Sequence, residues 1–338
     1  MNASAAHAVE DSSQVASARR AALDLVRAVG FSDERGGKAA LIVTELATNL
    51  AKHATAGQLL FRTLHRNGSL TAPEGIEILA IDRGPGMRDV PRAREDGYST
   101  AGSLGHGLGS VERQSDFFQI YSQPSGTVAV AQLWVEQRPP VARQPLYEIG
   151  GVLVSCPGEE ISGDAWGWTM RDDRFAMMVA DGLGHGLSAH EAADRAIGVF
   201  YRNHEQSPAQ VIGDVHAALR STRGAAVAMV AVDTDRRLVT FCGLGNTGAV
   251  VISADGSRHG MVSQNGTAGH RATRIQEFSY PLPARSMIVM FSDGLASHWD
   301  LGAYPGLSTH HPSIIAGVLY RDVSRRRDDV TVVVVKPR

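Results

Sequence analysis

Four acidic sites recur at the ends of apolar, strand-like runs in the second half of the chain. They are Asp164 in SGDAWGW, Asp181 in MVADGLGHG, Asp293 in MFSDGLASHW, and Asp328 or Asp329 in RRRDDVTVVVV. A single Asp-Gly pair is ordinarily a turn. Four such sites beside core strands are harder to read that way, because strand ends that converged would drive the carboxylates into repulsion unless cations neutralised them. An all-oxygen donor set favours magnesium or manganese over zinc. Two such ions polarise a phosphate and deprotonate a bridging water for in-line attack, so the chemistry suggested is hydrolysis of a phosphate ester. Neither Cys156 nor Cys242 lies in a CxxxxxR phosphate loop, which leaves a phosphocysteine route without support.

A second set lies in the first half. In ERGGKAALIVTELATNLAKHA, Glu45, Asn49 and His53 recur every four residues along one helix face, while Ile42, Leu46 and Leu50 mark an apolar one. A carboxylate and an amide oxygen one turn apart can orient a nucleophilic hydroxyl and hold magnesium against phosphates; the same spacing also describes a solvated helix face. The strand IEILAID then ends in Asp82, followed by Gly84 and Gly86. A carboxylate placed there can accept from the exocyclic amine of adenine, with glycines letting the backbone approach the ring. Further on, Gly105, Gly107 and Gly109 in LGHGLGSVERQSD open a helix whose N–H groups suit phosphate. His53 reads equally well as a helix C-terminal residue complementing the dipole.

These groups need scaffolds to hold them. At 338 residues the chain is long enough for two domains, and EQRPPVARQPL, residues 136–146, is the clearest boundary. Before it, periodicity predicts helices at 11–29, 35–54 and 108–116, a strand at 76–81, and a hairpin at 117–135 turned at PSG, after a flexible segment at 1–10. Behind it, strand-like runs dominate: YEIGGVLVSC, AWGWTM, RFAMMVA, AAVAMVAVD, RLVTFCG, TGAVVI, SMIVMF and VTVVVV. Helices are expected at 187–204, 208–219 and 312–320. A net charge of −2 and 20% charged residues make no electrostatic case for nucleic acid or an anionic membrane. No run approaches the roughly 20 apolar residues of a membrane span, and with no secretory leader the expectation is a soluble cytoplasmic protein whose two cysteines are reduced and buried.

The order and spacing of ELATNLAKHA, IDRGPGM, GHGLGSVERQSD and PSGTVAV resemble the nucleotide-binding boxes of the GHKL superfamily over residues 11–135. The short lid is most similar to the RsbT/RsbW type of anti-sigma serine kinase. The resemblance implies a GHKL (Bergerat) α/β sandwich binding ATP with Mg2+. Asn49 would ligate the metal, Asp82 would read adenine, and Gly84, Gly86, Gly105, Gly107 and Gly109 would shape the pocket. Thr127 would back the adenine contact, and Glu45 would be the catalytic base.

Over residues 147–338 the order GD, ADGLGHG, FSDG and DDVT resembles the SpoIIE/RsbX branch of metal-dependent serine/threonine phosphatases, which implies a PPM-type α-β-β-α sandwich with two Mn2+ or Mg2+. By that resemblance Asp181 would bridge the metals, the Gly182 carbonyl would add a ligand, and Asp164, Asp293 and Asp328, or Asp329 in its place, would complete the shell. His185 reads as a structural hydrogen-bonding group, with a contact to phosphate as the alternative. Where many relatives carry a Gly-His/Asn-Pro-Pro turn, this chain has GLGNTGAVV. The implied partners are STAS-domain proteins of a stressosome-like or anti-sigma-antagonist switch, phosphorylated by one half and dephosphorylated by the other; homo-oligomerisation stays open. The alternative is a phosphatase whose N-terminal half binds ATP or a partner without phosphoryl transfer. The pentapeptide LGHGL occurs in both halves, and its two different settings point to convergence, not duplication.

Overall fold

The computed structural model describes residues 5–66, 72–93, 107–136, 146–171 and 174–338. The start of the chain is more ordered than expected. Strand β1 (Ala5–Ala8) pairs antiparallel with β2 (Gln58–Leu64), and Val9 behind it is fully buried. Edge pairing supplies the order that this small, polar segment lacks locally. Between those strands, α1 (Ser12–Val29) is capped by Asp11 and Gln14 in a reciprocal box and stopped by left-handed Gly30. Helix α2 (Asp33–His53) starts at the Ser32 cap. Small residues on the facing surfaces allow the two helices to pack closely: a Cβ on Gly36 would lie 3.2 Å from Val26, and Ala18, Ala22 and Ala39 are buried in the same core.

Strand β3 (Gly75–Ile81), the short α3 (Val90–Ala93), α4 (Gly107–Gln114), β4 (Phe117–Gln123) and β5 (Gly126–Trp134) complete this half. Its antiparallel sheet runs β1-β2-β3-β5-β4. Helices α1, α2 and α4 cover one face through Ile42, Leu46, Leu59, Ile78 and Val111. The expected helices and hairpin appear within a few residues of their predicted limits. Strand β2 was not foreseen.

The second half opens with β6 (Tyr147–Val154), β7 (Asp164–Arg171) and β8 (Arg174–Gly182), followed by α5 (Leu187–Asn203) and α6 (Pro208–Ala218). Then come β9 (Ala225–Asp233), β10 (Leu238–Leu244), β11 (Gly248–Ile252) and β12 (Arg258–Gly260). A small ladder of β13 (Gly266–Thr267) and β14 (Arg271–Ala272) precedes β15 (Phe278–Pro281), β16 (Met287–Phe291), α7 (Pro312–Val323) and β17 (Val330–Pro337). One sheet has the order β15-β10-β9-β8-β7 and the other β12-β11-β16-β17-β6. Trp166, Phe175, Val179, Phe241, Val251 and Val333 fill the space between them. Helices α5 and α6 cover the first of these sheets from outside through Ala193, Ile197, Phe200 and Ile212. This is the expected α-β-β-α sandwich, with α7 on its other side. Cys242 is buried as expected, whereas Cys156 is only partly so, and both are free thiols. Among the described residues no helix is long and apolar enough to cross a membrane.

Helix α7 does more than close the sandwich. One of its sides packs on Val152, Val332 and Val334, the other on Leu79, Ile81, Val128 and Val130 of the N-terminal sheet, so that one core joins both halves. Glycines make the close approach feasible: a Cβ on Gly150 would lie 2.1 Å from the Ser313 nitrogen, and one on Gly317 would lie 2.9 Å from Val128. Inside the junction lies a charge. Glu77, 2% exposed, accepts from Arg62 Nη2 at 2.7 Å, Gln132 Nε2 at 2.8 Å and Ser313 Oγ at 2.7 Å. Burial pushes its carboxyl up, but Arg62, His311, Gln132 and Ser313 together hold it below the ordinary range.

Removing one member of such a pair strands the other. Glu77→Ala is expected to lower the unfolding free energy by about 3–5 kcal/mol, read as a fall in the denaturant midpoint, with much of the loss recovered in an Arg62→Met, Glu77→Ala double variant. A single variant as stable as the wild type would show that water reaches Arg62 at the junction.

Candidate active sites

The two sheets of the C-terminal sandwich bring their acidic ends to one edge. Asp164 opens β7 directly opposite Asp181 near the end of β8, the two being register partners in the antiparallel ladder. The other sheet contributes Asp293, just beyond β16, and Asp328 and Asp329, just ahead of β17; those strands pair with each other. The Asp293 backbone and carboxyl both act on the Asp181 carboxylate, so the acidic ends of the two sheets lie together. Gly182 ends β8 with its N–H held by the Gly163 carbonyl at 3.0 Å.

Burial raises the carboxyl of Asp164 well above its usual range, against the pull of the Ser292 and Thr331 hydroxyls and with added repulsion from Asp329 and Asp293. Asp181 is raised further by burial and by Asp164, Asp293 and Asp328. Asp293 is also raised, by burial and then by Asp328. Among the described residues no three carboxylate, imidazole or thiolate groups close into a ready-made metal cage. The donor chemistry nevertheless fits a hard divalent cation: the groups are oxygens, they repel one another, and Asp164 Oδ2 is buried without a hydrogen-bond partner.

The adjacent aspartates at 328 and 329 differ in what their oxygens do. Asp329 is 3% exposed and accepts from the Cys156 N–H at 2.8 Å and the Gly163 N–H at 2.9 Å, one through each oxygen. Asp328 is half-buried, and its Oδ1 accepts from the Asp329 N–H. His185 Nδ1 lies 2.6 Å from Glu159 Oε1, the structural pairing expected of it. Sequence reasoning missed Asn246, whose amide donates to Asp293 Oδ2 at 2.6 Å. The signal was the GLGNTGAVV departure, which falls on a turn that meets the Asp293 loop.

The N-terminal site lies between α2, α4 and the end of β3. Glu45 and Asn49 are half-buried on α2, and Gly107 starts α4 directly above them. A Cβ there would lie 3.5 Å from Glu45 Oε2 and 3.6 Å from Asn49 Nδ2, ordinary contact distances that set the helix start against both polar groups. Gly109 is buried in the same helix. Asp82 Oδ1 accepts from the Gly84 N–H at 2.7 Å and the Thr127 N–H at 3.2 Å, and burial raises its carboxyl despite them. Thr127 meets Ser122 Oγ, which in turn accepts from the Met87 N–H, and Gly86 backs onto the Gln123 carbonyl. His53 is exposed at the C-terminal end of α2. Gly105 lies outside the described residues.

The family described as histidine kinase-like ATPase domain matches residues 8–133, and stage II sporulation protein E (SpoIIE) matches residues 171–338. The chain belongs to the histidine kinase-like ATPase family over its first part and carries a SpoIIE-type protein phosphatase domain in its second. Serine/threonine-protein kinase RsbT of Bacillus subtilis (strain 168) is 32% identical over 122 residues, 36% of this chain and 89% of RsbT. Phosphoserine phosphatase RsbX of the same organism is 24% identical over 139 residues, 41% of this chain and 69% of RsbX. A solved structure described as "The bacterial stressosome: a modular system that has been adapted to control secondary messenger signaling" superposes with a TM-score of 0.53 at 24% identity, over 56% of this chain and 98% of that one.

The raised carboxyls set a pH dependence. Their folded pKa values exceed the unfolded ones, so without metal the stability they contribute is complete below the ordinary carboxylate range and is lost as pH rises through the folded values. A divalent cation replaces those protons. The gain in melting temperature on adding Mn2+, relative to chelator, should therefore grow between about pH 6 and about pH 9; a gain that shrinks over that interval would remove these aspartates as ligands.

Proposed function

We propose that the chain is a bifunctional regulator: its C-terminal half hydrolyses phosphoserine or phosphothreonine in a partner protein, and its N-terminal half transfers the γ-phosphoryl group of ATP to a serine or threonine. The observation that carries the reading is the facing pair Asp164 and Asp181, with Asp293 and Asp328 beside it and buried carboxyls that call for cations. In this reading Asp181, Asp164, Asp293, Asp328 and the Gly182 carbonyl would hold two divalent cations, with Asp181 serving both. Asp328 is favoured over Asp329, whose oxygens are both occupied by backbone N–H groups. When bound, the cations supply Lewis-acid polarisation of the phosphoryl group and lower the pKa of water. The protein holds the carboxylates on two rigid sheets, and Asn246 orients Asp293 from the side.

At the other site, Asn49 would hold Mg2+ at the ATP phosphates while Asp82, backed by Thr127, would receive the adenine amine. Gly84, Gly86, Gly107 and Gly109 would shape the pocket. Glu45 takes the proton of the acceptor hydroxyl as its oxygen attacks the γ-phosphorus and ADP leaves. The similarity to RsbT and RsbX, and to a structure described as the stressosome, supports STAS-domain proteins of a partner-switching assembly as the substrates of both halves.

Two measurements test this. Asp181→Asn and Asp328→Asn should each reduce manganese-dependent hydrolysis of p-nitrophenyl phosphate by more than the about 10–100-fold typical of an outer-shell partner, with Asp329→Asn milder; activity unaffected by Asp181→Asn would contradict the metal centre. With γ-labelled ATP and a STAS-domain protein, Glu45→Ala should slow transfer by about 10²–10⁴-fold while ADP affinity holds. No transfer by the wild type, or equal transfer by the variant, would leave the N-terminal half as a nucleotide-binding module.

A further inference from the structure

Arg321, in the last turn of α7, is 1% exposed, an unusual position for a guanidinium. Its Nε and Nη2 each donate to Asp322 at 2.8 Å, and Nη2 lies 3.3 Å from Ser125 Oγ. Nη1 has no hydrogen-bond partner among the described residues. A buried donor left unmatched is costly, and its place in the fold asks for a reason.

That nitrogen faces the turn between β4 and β5. A Cβ on Gly126 would lie 2.9 Å from Nη1 and 2.0 Å from the carbonyl oxygen of Asp82. The phosphatase half thus sets a positive charge directly behind the strand end that carries the adenine-reading carboxylate. Arg321 opposes the burial that raises Asp82.

Four residues further along, the same segment grips the metal loop. The Arg325 N–H donates to the Gly294 carbonyl at 2.8 Å, the Ala296 N–H donates to the Val323 carbonyl at 3.1 Å, and Leu295 bridges Ser324. Gly294 follows Asp293, and Asp328 lies three residues beyond Arg325. The end of α7 therefore has a side chain against one site and its backbone against the other.

We propose that Arg321 is a positioning residue of the nucleotide pocket supplied by the phosphatase half, and that through it nucleotide binding and cation binding at the phosphatase centre are coupled. The proposal rests on the assignments of both sites given above. Adenine seated on Asp82 holds the end of β3 and the residue 125–127 turn against Arg321, which fixes the last turn of α7 and its grip on the Asp293 loop. Filling the metal centre steadies that loop and acts back along the same path. By linkage, each ligand raises affinity for the other by one common factor.

The test uses the full chain at constant excess Mg2+, with ADP affinity measured by calorimetry in the wild type, Asp181→Asn, Arg321→Met and the double variant. Asp181→Asn should weaken ADP by about fivefold or more when Arg321 is present and leave ADP affinity unchanged in the Arg321→Met background. Arg321→Lys, which keeps the charge, should restore part of the dependence. If Asp181→Asn has no effect on ADP affinity in the otherwise wild-type chain, or the same effect in the Arg321→Met background, the inference is overturned while both site assignments stand. Absence of ADP binding altogether would overturn the nucleotide assignment and the inference with it. Metal-dependent hydrolysis that survives Asp181→Asn would do the same to the metal assignment.

Discussion

The architecture depends on covering the second face of the N-terminal sheet. Helices α1, α2 and α4 bury one side, which leaves Leu60, Leu79, Ile81, Tyr121, Val128 and Val130 on the other, and these close against α7 and the neighbouring sheet in a single core. Burying an aliphatic or aromatic side chain of this size contributes roughly 1.5–3 kcal/mol. A buried ion pair such as Arg62 with Glu77 roughly breaks even once desolvation is counted. The apolar side chains therefore hold the halves together, and the Glu77 network, whose hydrogen bonds each require one partner in one place, penalises any other seating.

This explains why β3 reads as it does. GIEILAI is buried along its whole length, so the alternation expected of a sheet with one wet face is absent and the run is nearly continuous in apolar residues. The single charge in it, Glu77, falls where Arg62, Gln132 and Ser313 converge. Helix α7 shows the same constraint from the other side. Ile314, Ile315, Ala316, Val318 and Leu319 are all buried, because the helix has a sheet on each flank.

The two sites stand in electrostatic contrast. The C-terminal one gathers carboxylates and raises their pKa values, a condition that protons or divalent cations relieve. The N-terminal one offers a helix start, glycines and a single raised carboxyl suited to a neutral amine. The second LGHGL segment follows an aspartate on a strand and leads into α5, whereas Gly107 and Leu108, the last two residues of the first, begin α4 beside Glu45 and Asn49. Shared backbone permissiveness serves different chemistry in the two halves.

Much of this was legible in one dimension. Helical periodicity located α1 and α2, and the strand-end aspartates marked the acidic edge, because these signals arise from neighbours within a few residues. Strand β2 and the pairing of β1 were not legible, since AAHA owes its order to β2, fifty or more residues away, and QLLFRTL owes its own to being held between β1 and β3. That Asp329 spends both oxygens on the Cys156 and Gly163 N–H groups while Asp328 does not was likewise not legible. The sequence by itself determined most of the helices and strands, the two families and the acidic residues that end the C-terminal strands. Only the tertiary structure decided that the halves share a core through α7, that Asn246 serves Asp293 and that Arg321 stands behind Asp82, because long-range packing joins segments that no local period or motif relates.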